Sequence, residues 1–224
     1  MSLTIVLLAA LAPLLQAEDI DLLVYGATPA GIAAALAAGR DGARVLLVEP
    51  RARIGGMLTN GLSHADFRTF ESLSGLYLDF SHRVEAFYEK QYGRESPQFK
   101  ECLRGTNAEP KVNLAVLEEM LAEVPSVKVQ RSWELENLRC SGSASTNGTN
   151  ARSLEMALFL DAEHQRHTIA AHYFVDATYE GDLMAAAEIP YKVGREGRVE
   201  SGEPAAPPTA DDQIQAYNFR MIMT

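Results

Sequence analysis

Cysteine is scarce in this chain of 224 residues, which contains only Cys102 and Cys140. Neither belongs to a CxxC pair or to a Cys/His spacing typical of zinc, so the sequence gives no support to a zinc module. The two cysteines could pair in an oxidising compartment or remain free thiols, and the sequence leaves both open. His164 and His167 lie in a polar run that predicts a solvated turn, and with no third ligand nearby we expect no metal site.

Positive charge is also in short supply, because 20 Lys and Arg residues stand against 30 Asp and Glu residues and give a net charge of -10. No basic run occurs that would neutralise a series of phosphates on a nucleic-acid backbone. Nucleic acid is therefore not an expected partner. The GxSxG and HExxH signatures are missing too, so the sequence does not support the serine and zinc hydrolases that those motifs identify.

The apolar run of residues 3–15 is too short to span a bilayer comfortably. It lies in an uncharged segment, residues 1–17, that ends at a small residue, Ala17. We therefore predict a signal peptide over residues 1–17, a secreted or periplasmic mature chain, and no stable membrane span after cleavage. No Lys or Arg precedes the run and no twin-Arg motif occurs, so a cytoplasmic location stays open as the alternative.

The first part of the chain after the apolar run has the pattern of a βαβ unit. Hydrophobic residues make up 47% of the chain, enough for one ordinary globular core in one or two domains. The pattern predicts a strand over residues 21–25, a helix over 29–40 and a second strand over 43–49. Each strand contains a continuous apolar stretch, residues 22–24 and 45–48, as strands of a parallel sheet covered on both faces require.

Later segments predict further helices and strands around this unit. Helical spacing of apolar residues indicates helices over 73–92 and 112–123, in an insertion at about residues 65–125. Short strand-like runs after residue 127 predict a small β-meander, which ends in a strand over 172–175 and a helix from 180 to 188.

The turn of the βαβ unit reads Gly-Ala-Thr-Pro-Ala-Gly, from Gly26 to Gly31. In the GxGxxG fingerprint the glycines allow a tight turn, close approach of backbone to a pyrophosphate, and close packing of helix on strand. Thr28 replaces the second glycine, but it is a good helix N-cap, Pro29 suits the first helical position, and the Thr28 hydroxyl could itself bond a phosphate. We predict that Gly26, Thr28, Pro29, Ala30 and Gly31 hold a pyrophosphate.

Glu49 closes the second predicted strand, 18 positions after Gly31. An acidic side chain at this point accepts hydrogen bonds from the ribose hydroxyls of an adenosine. It also disfavours a 2'-phosphate, and hence NADP. The strand, turn, helix, strand and terminal acid together predict a Rossmann-like α/β domain with a parallel sheet that binds a dinucleotide.

The residues that follow Glu49 separate FAD from NAD. The run Glu-Pro-Arg-Ala-Arg-Ile-Gly-Gly-Met resembles the flavoprotein pattern in which an acidic residue is followed by RxGGR. The resemblance is to the glutathione-reductase-like flavoprotein superfamily, and it implies that Arg51, Gly55 and Gly56 lie against the phosphate and ribityl groups of FAD. The chain departs from the pattern at Met57, where the pattern has Arg.

A second, distant segment carries the same resemblance. An apolar strand runs into Asp176, Ala177 and Thr178, where these flavoproteins have a strand ending in Ala-Thr-Gly beside the cofactor, and Tyr179 takes the place of the glycine. Most of residues 19–224 resemble the FAD-dependent oxidoreductase family of bacterial genomes, some members of which are labelled xanthan lyase. The resemblance implies that Ala177 and Thr178 line the cofactor and that the backbone of Val129 contacts adenine.

By this resemblance the protein is an oxidoreductase that binds FAD non-covalently and transfers a hydride from an unidentified small-molecule substrate to the flavin. The catalytic residues stay unknown, because Glu180 and Asp182 suit a helix start better than acid-base chemistry and His64 suits a loop better than a place beside the flavin. Three alternatives stay open: a non-catalytic nucleotide-binding module, an exported carbohydrate-active lyase and an NAD dehydrogenase. The sequence does not determine the oligomeric state.

The resemblance also sets the expected domain limits. An FAD-binding domain is expected over residues 18–193, and a linker with the start of an incomplete substrate domain over 194–224. The Gly-Asp element that completes the flavin cradle near the carboxyl end of such proteins does not occur before Thr224. The chain is therefore expected to be a fragment of a longer enzyme, with its substrate domain truncated.

Overall fold

The computed structural model describes residues 20–62, 64–141 and 153–214. The predicted signal peptide, residues 1–17, lies outside the described residues, and so does the end of the predicted substrate-domain segment, residues 215–224. Within the described ranges, no helix combines the length and the apolar character needed to cross a bilayer.

One sheet of six strands forms the centre of the fold. The strands are β1 (Ile20–Tyr25), β2 (Val45–Glu49), β3 (Val127–Arg131), β4 (Glu134–Ser141), β5 (Ser153–Leu160) and β6 (Arg166–Asp176). Their order across the sheet is β3-β2-β1-β6-β5-β4. The first four in this order run parallel, whereas β6, β5 and β4 form an antiparallel meander. The α/β class, the parallel sheet and the small meander are thus confirmed.

Strand β6 joins the parallel and antiparallel halves of the sheet. Its residues 171–176 pair in parallel with β1, and its residues 166–170 pair antiparallel with β5. The strand therefore has 11 residues, although the sequence predicted only residues 172–175. The first half alternates between exposed and half-buried side chains, and this pattern does not resemble the continuous apolar run of a doubly covered strand. A single sheet results, in which the meander extends the parallel strands.

The helix after β1 follows from its local sequence. Helix α1 spans Pro29–Arg40, as predicted, with Thr28 as N-cap in extended conformation and proline at its first position. Alanine, the strongest helix former, fills much of its length. Ile32 and Leu36 are buried against the sheet, and the helix ends before Gly42, which has a φ of +94°.

A layer of helices lies between β2 and β3 in the chain, where the insertion was expected. It comprises α2 (Gly56–Thr59), a 3-10 turn (Phe70–Ser72), α3 (Gly75–Tyr92), α4 (Pro97–Glu101) and α5 (Pro110–Ala122). The two long helices begin and end within two residues of the predicted limits. Helices α3 and α5 pack on each other and on α1. They bury one face of the parallel strands in a cluster that includes Val24, Leu47, Ile32, Leu36, Val84, Val116 and Met120.

The opposite face of the sheet has its own apolar cluster, centred on Phe159. The Phe159 ring is fully buried, 5.6 Å from the ring of Tyr25 and 6.1 Å from that of Trp133. Tyr25 lies on β1 and its hydroxyl accepts a hydrogen bond from the amide of Leu135 on β4. Burial raises the pKa of the Tyr25 phenol. Leu183 of α6 (Asp182–Ala186) closes the cluster, in a helix shorter than the predicted 180–188.

The Phe159 cluster links the meander to the parallel strands, so we expect Phe159→Ala to destabilise the whole chain. The loss of a buried aromatic ring costs about 3–5 kcal/mol. Urea unfolding followed by circular dichroism measures this cost. The control is Val199→Ala in α7 (Arg198–Ser201), where the side chain is 94% exposed, and it should change the unfolding free energy by less than about 0.5 kcal/mol. Equal effects of the two substitutions would contradict a role of Phe159 in holding the halves together.

Candidate functional site

The loops that follow β1, β2 and β6 meet at one edge of the sheet, because the carboxyl ends of parallel strands lie on the same side. Backbone hydrogen bonds tie these loops together. The amide of Gly26 donates to Val48 O at 2.8 Å, that of Ala177 to Tyr25 O at 2.8 Å, and that of Gly55 to Ala27 O at 2.7 Å. Segments that are far apart in the sequence are thereby brought to one place.

Glycine at position 26 allows the turn after β1 to pack directly against the loop after β6. Gly26 has a φ of +98°, and a Cβ atom there would lie 2.7 Å from the backbone of Ala177 and Thr178. Gly31 is equally constrained, since its Cβ would overlap the carbonyl oxygen of Gly26 and approach the Ala177 side chain to 2.9 Å. The first and third glycines of the fingerprint thus allow the turn, α1 and the loop after β6 to pack together.

The Thr28 side chain differs from the phosphate ligand that the sequence allowed. Its hydroxyl donates its single proton to Ala177 O at 2.8 Å and accepts a hydrogen bond from Gly31 N at 3.2 Å. A phosphate oxygen only accepts hydrogen bonds, so the Thr28 hydroxyl has no proton left for it. In this arrangement the side chain caps α1 and holds the loop after β6.

Backbone amides remain available at the same turn. Among the described residues, the N–H groups of Thr28 and Ala30 have no hydrogen-bond acceptor. Pro29 lies between them and has no N–H. The two amides lie at the amino end of the 12-residue helix α1, where the helix dipole favours negative charge. This arrangement suits an anion such as a pyrophosphate.

Glu49 lies beside the turn with its carboxylate fixed in place. The residue is only 6% exposed, and its two oxygens accept hydrogen bonds from Ala27 N at 2.8 Å and Arg51 N at 3.0 Å. Each carboxylate oxygen can accept two hydrogen bonds, so each keeps a site for a further donor. Such sites suit the paired hydroxyls of a ribose.

The loop after Glu49 contains two exposed cationic side chains and two glycines. Arg51 and Arg53 are exposed, and within the described ranges their guanidinium groups form no ion pair. Gly55 and Gly56 have φ values of +92° and +52°. A Cβ at Gly55 would collide with the side chain of Thr59, so tight internal packing also requires a glycine there.

The loop after β6 is organised by Asp176, which the sequence interpretation did not assign to the site. Its carboxylate accepts hydrogen bonds from the amide of Thr178 at 2.9 Å, the hydroxyl of Thr178 at 2.7 Å and the amide of Met184 at 2.7 Å. The Thr178 hydroxyl in turn accepts from the amides of Gly181 and Asp182. An aspartate two residues before a threonine is a local turn signal that could have identified this role.

Acidic groups surround the start of α6. Burial raises the pKa of Asp182, and the negative charges of Glu180 and Asp176 raise it further.

The side chain of Thr178 is committed to the turn, so Ala177 and Thr178 contribute to the site mainly through backbone position. Tyr179, which follows them, donates no hydrogen bond within the described chain but accepts one from Met57 N at 2.8 Å.

Two further residues considered from the sequence are Val129 and His64. Val129 pairs with Leu47, whereas Arg131 at the end of β3 pairs with Glu49, so Val129 is two residues short of the edge. His64 lines a cleft of about 420 Å³ in the helical insertion, together with Phe67 and Phe70. The structure therefore brings together all the proposed cofactor residues except Val129.

His167 contacts an aspartate and a tryptophan, and the two cysteines do not pair with each other. His167 Nε2 lies 2.7 Å from Asp161 Oδ2, and the imidazole stacks on Trp133 with ring centroids 4.0 Å apart. This contact lowers the pKa of Asp161. Cys102 is buried and Cys140 half-buried, and both are free thiols. In the described part of the chain, no three metal-binding side chains lie close enough to hold an ion.

The residues at the edge fit a dinucleotide such as FAD. The free amides at α1 and the nearby arginines suit a pyrophosphate, the second lone pairs of the Glu49 carboxylate suit ribose hydroxyls, and the glycine loop lets backbone approach closely. No single side chain in this set identifies the reaction, because these groups are suited to binding and orienting a nucleotide.

Comparison with known proteins agrees with this geometry. Residues 21–224 match the model of the family "FAD dependent oxidoreductase". No curated protein sequence matches the chain. Among solved structures, AlpK superposes with a TM-score of 0.52 at 17% identity, over 80% of this chain and 35% of AlpK. This similarity supports the fold.

Two further solved structures are similar over shorter or looser superpositions. THI4 from Thermovibrio ammonificans has a TM-score of 0.48 at 15% identity, over 86% of this chain and 76% of THI4. A glycerol-3-phosphate dehydrogenase from Bacillus halodurans, solved with FAD, has a TM-score of 0.44 at 17% identity, over 76% of this chain and 36% of the dehydrogenase. The chain thus spans about a third of AlpK and of the dehydrogenase. From the family match, the chain belongs to the FAD dependent oxidoreductases, and its cofactor is FAD.

Proposed function

We propose that this chain binds FAD non-covalently at the carboxyl edge of its parallel strands and serves the transfer of a hydride from a small-molecule substrate to the flavin. One observation carries the proposal. The turn between β1 and α1 presents the amides of Thr28 and Ala30, which have no acceptor in the described part of the chain, and the buried carboxylate of Glu49 is hydrogen-bonded to the same turn through Ala27. An anion site and a ribose site are thus adjacent, as a dinucleotide requires.

Each group has a distinct part in this proposal. The amides of Thr28 and Ala30 and the positive end of the α1 dipole face the pyrophosphate, with Gly26, Pro29 and Gly31 keeping the turn close to it. The guanidinium group of Arg51 adds a positive charge near the pyrophosphate. This charge matters because acidic residues outnumber basic ones in the chain, whose net charge is -10.

The remaining contacts orient the cofactor. Glu49 accepts hydrogen bonds from the ribose hydroxyls of the adenosine. The loop of Gly55 and Gly56 and the backbone of Ala177 and Thr178 line the rest of the edge, and FAD supplies the hydride-accepting chemistry when bound. These protein residues bind and orient it.

Glu49→Gln tests the ribose contact. Glutamine keeps the size of the side chain but replaces one acceptor oxygen with an NH₂ group, which would face the N–H of Ala27 or Arg51. We expect the Kd for FAD to rise by about tenfold to a hundredfold, because hydrogen bonds to a charged group contribute roughly 1.5–3 kcal/mol. Flavin fluorescence titration measures the Kd, and thermal unfolding checks that the variant is folded.

The matched control for this substitution is Glu101→Gln. Glu101 is an exposed residue of α4 whose side chain makes no hydrogen bond within the described residues, and it should leave the Kd unchanged. A folded Glu49→Gln variant with wild-type affinity for FAD would show that Glu49 serves the turn alone and does not contact the ribose.

Gly26→Ala tests whether the close approach of the turn to Ala177 is needed for binding. Gly42→Ala is its control, because Gly42 has nearly the same φ, +94° against +98°, but a Cβ there would meet nothing within 4 Å. Both variants bear the conformational cost of about 1–3 kcal/mol. We expect Gly26→Ala alone to bear a further cost of about 1–3 kcal/mol from the collision and to lose FAD binding.

Urea unfolding and FAD titration of the two variants, side by side, measure these effects. Equal stability of the two variants, together with normal FAD binding by Gly26→Ala, would mean that the loop after β6 can move away without harm to the site.

A further inference from the structure

Tyr179 connects two loops of the site that lie 122 residues apart. Its hydroxyl oxygen accepts a hydrogen bond of 2.8 Å from the amide of Met57. A Cβ on Gly56 would collide with this hydroxyl, so the phenol packs directly against the backbone of the glycine loop. Thr178, which immediately precedes Tyr179 in the chain, donates two hydrogen bonds to the carboxylate of Asp176. Tyr179 therefore extends from a rigid turn to the loop of Gly55, Gly56 and Met57.

The position of Tyr179 relative to Glu49 indicates which part of the cofactor it faces. In the strand order, β2 lies on one side of β1 and β6 on the other. Glu49 ends β2, whereas Tyr179 follows β6. A dinucleotide crosses the sheet edge at such a point, where the connections diverge. With its adenosine at Glu49 and its pyrophosphate at the turn after β1, a bound FAD would extend its other half toward Tyr179.

The hydroxyl of Tyr179 can still donate a hydrogen bond. A phenol can accept and donate at once, and within the described chain this one accepts from Met57 and donates to nothing. The residue is 49% exposed, so the hydroxyl is accessible from solvent. A tyrosine loses little conformational freedom when it is held in place, because it has only two side-chain torsions.

We propose that Tyr179 is a positioning residue that fixes the Gly55–Met57 loop for the flavin-bearing half of FAD and donates its hydroxyl proton to an oxygen of that half. This proposal rests on the proposed function, because it takes the site to be an FAD site. It assigns to Tyr179 a contact that a glycine at that position could not make.

The test compares Tyr179→Phe with Tyr173→Phe, using FAD and ADP as separate probes. Phenylalanine keeps the ring but removes the hydroxyl, so the fold should be retained. Tyr173 is the matched control, since it lies on β6, is 73% exposed, and its side chain makes no hydrogen bond within the described residues. ADP contains the adenosine and the pyrophosphate but lacks the flavin-bearing half.

We expect Tyr179→Phe to raise the Kd for FAD about fivefold to tenfold, the effect of one or two hydrogen bonds, and to leave the Kd for ADP unchanged. Hydrogen exchange of the Met57 amide in the nucleotide-free protein, followed by NMR, should accelerate in this variant because its acceptor is gone. Tyr173→Phe should change neither quantity.

Three results would overturn the proposal: an unchanged Kd for FAD in Tyr179→Phe, a tighter Kd, or an equal weakening of FAD and ADP. The last would show a general loosening of the fold, and a tighter Kd would show that the phenol occupies space the cofactor needs. If the wild-type chain bound neither FAD nor ADP, the proposed function itself would fail, and this outcome is distinct from wild-type binding that Tyr179→Phe leaves unaltered.

Discussion

The backbone of Gly26 packs directly against Ala177, and the rest of the site depends on this contact. It sets the turn after β1 against the loop after β6, so that α1 begins where both loops meet. Thr28 reinforces the contact by donating its hydroxyl proton to Ala177 O. A side chain at position 26 would force the two loops apart, and the amides at the amino end of α1 would then lose their place beside the loop of Gly55.

The buried carboxylate of Glu49 has the second structural role. Burial of a charged group is costly unless hydrogen bonds compensate for the lost water, and here the amides of Ala27 and Arg51 provide them. The carboxylate therefore remains a hydrogen-bond acceptor at the sheet edge, and it orients the loops after β1 and β2. The same interaction that stabilises the folded edge leaves lone pairs of the carboxylate for further donors, so under the proposed function stability and ribose binding would depend on one group.

The chain departs from the flavoprotein pattern at Thr28, Met57 and Tyr179, and at Thr28 and Tyr179 the side chain makes a structural contact. Thr28 caps α1 and holds Ala177, while Tyr179 accepts a hydrogen bond from Met57. Such changes leave the general shape of the edge intact because the backbone conformation is set by neighbouring glycines and by Asp176. Residues that differ from a pattern can therefore report how a particular chain holds its loops together.

The sequence by itself determined the βαβ unit, the limits of α1, the two long helices of the insertion and the place of Glu49, because each depends on local periodicity, capping and spacing. Only the tertiary structure decided that β6 pairs with both β1 and β5, that Val129 lies back from the edge beside Leu47, and that Tyr179 meets Met57. The pairing of β6 with β1 and the contacts of Val129 and Tyr179 join residues more than 80 positions apart, and a local pattern carries no information about which distant backbone group will satisfy a given donor. The hydroxyl of Thr28 shows the same limit, since its partner, Ala177, becomes its neighbour only when the sheet has formed.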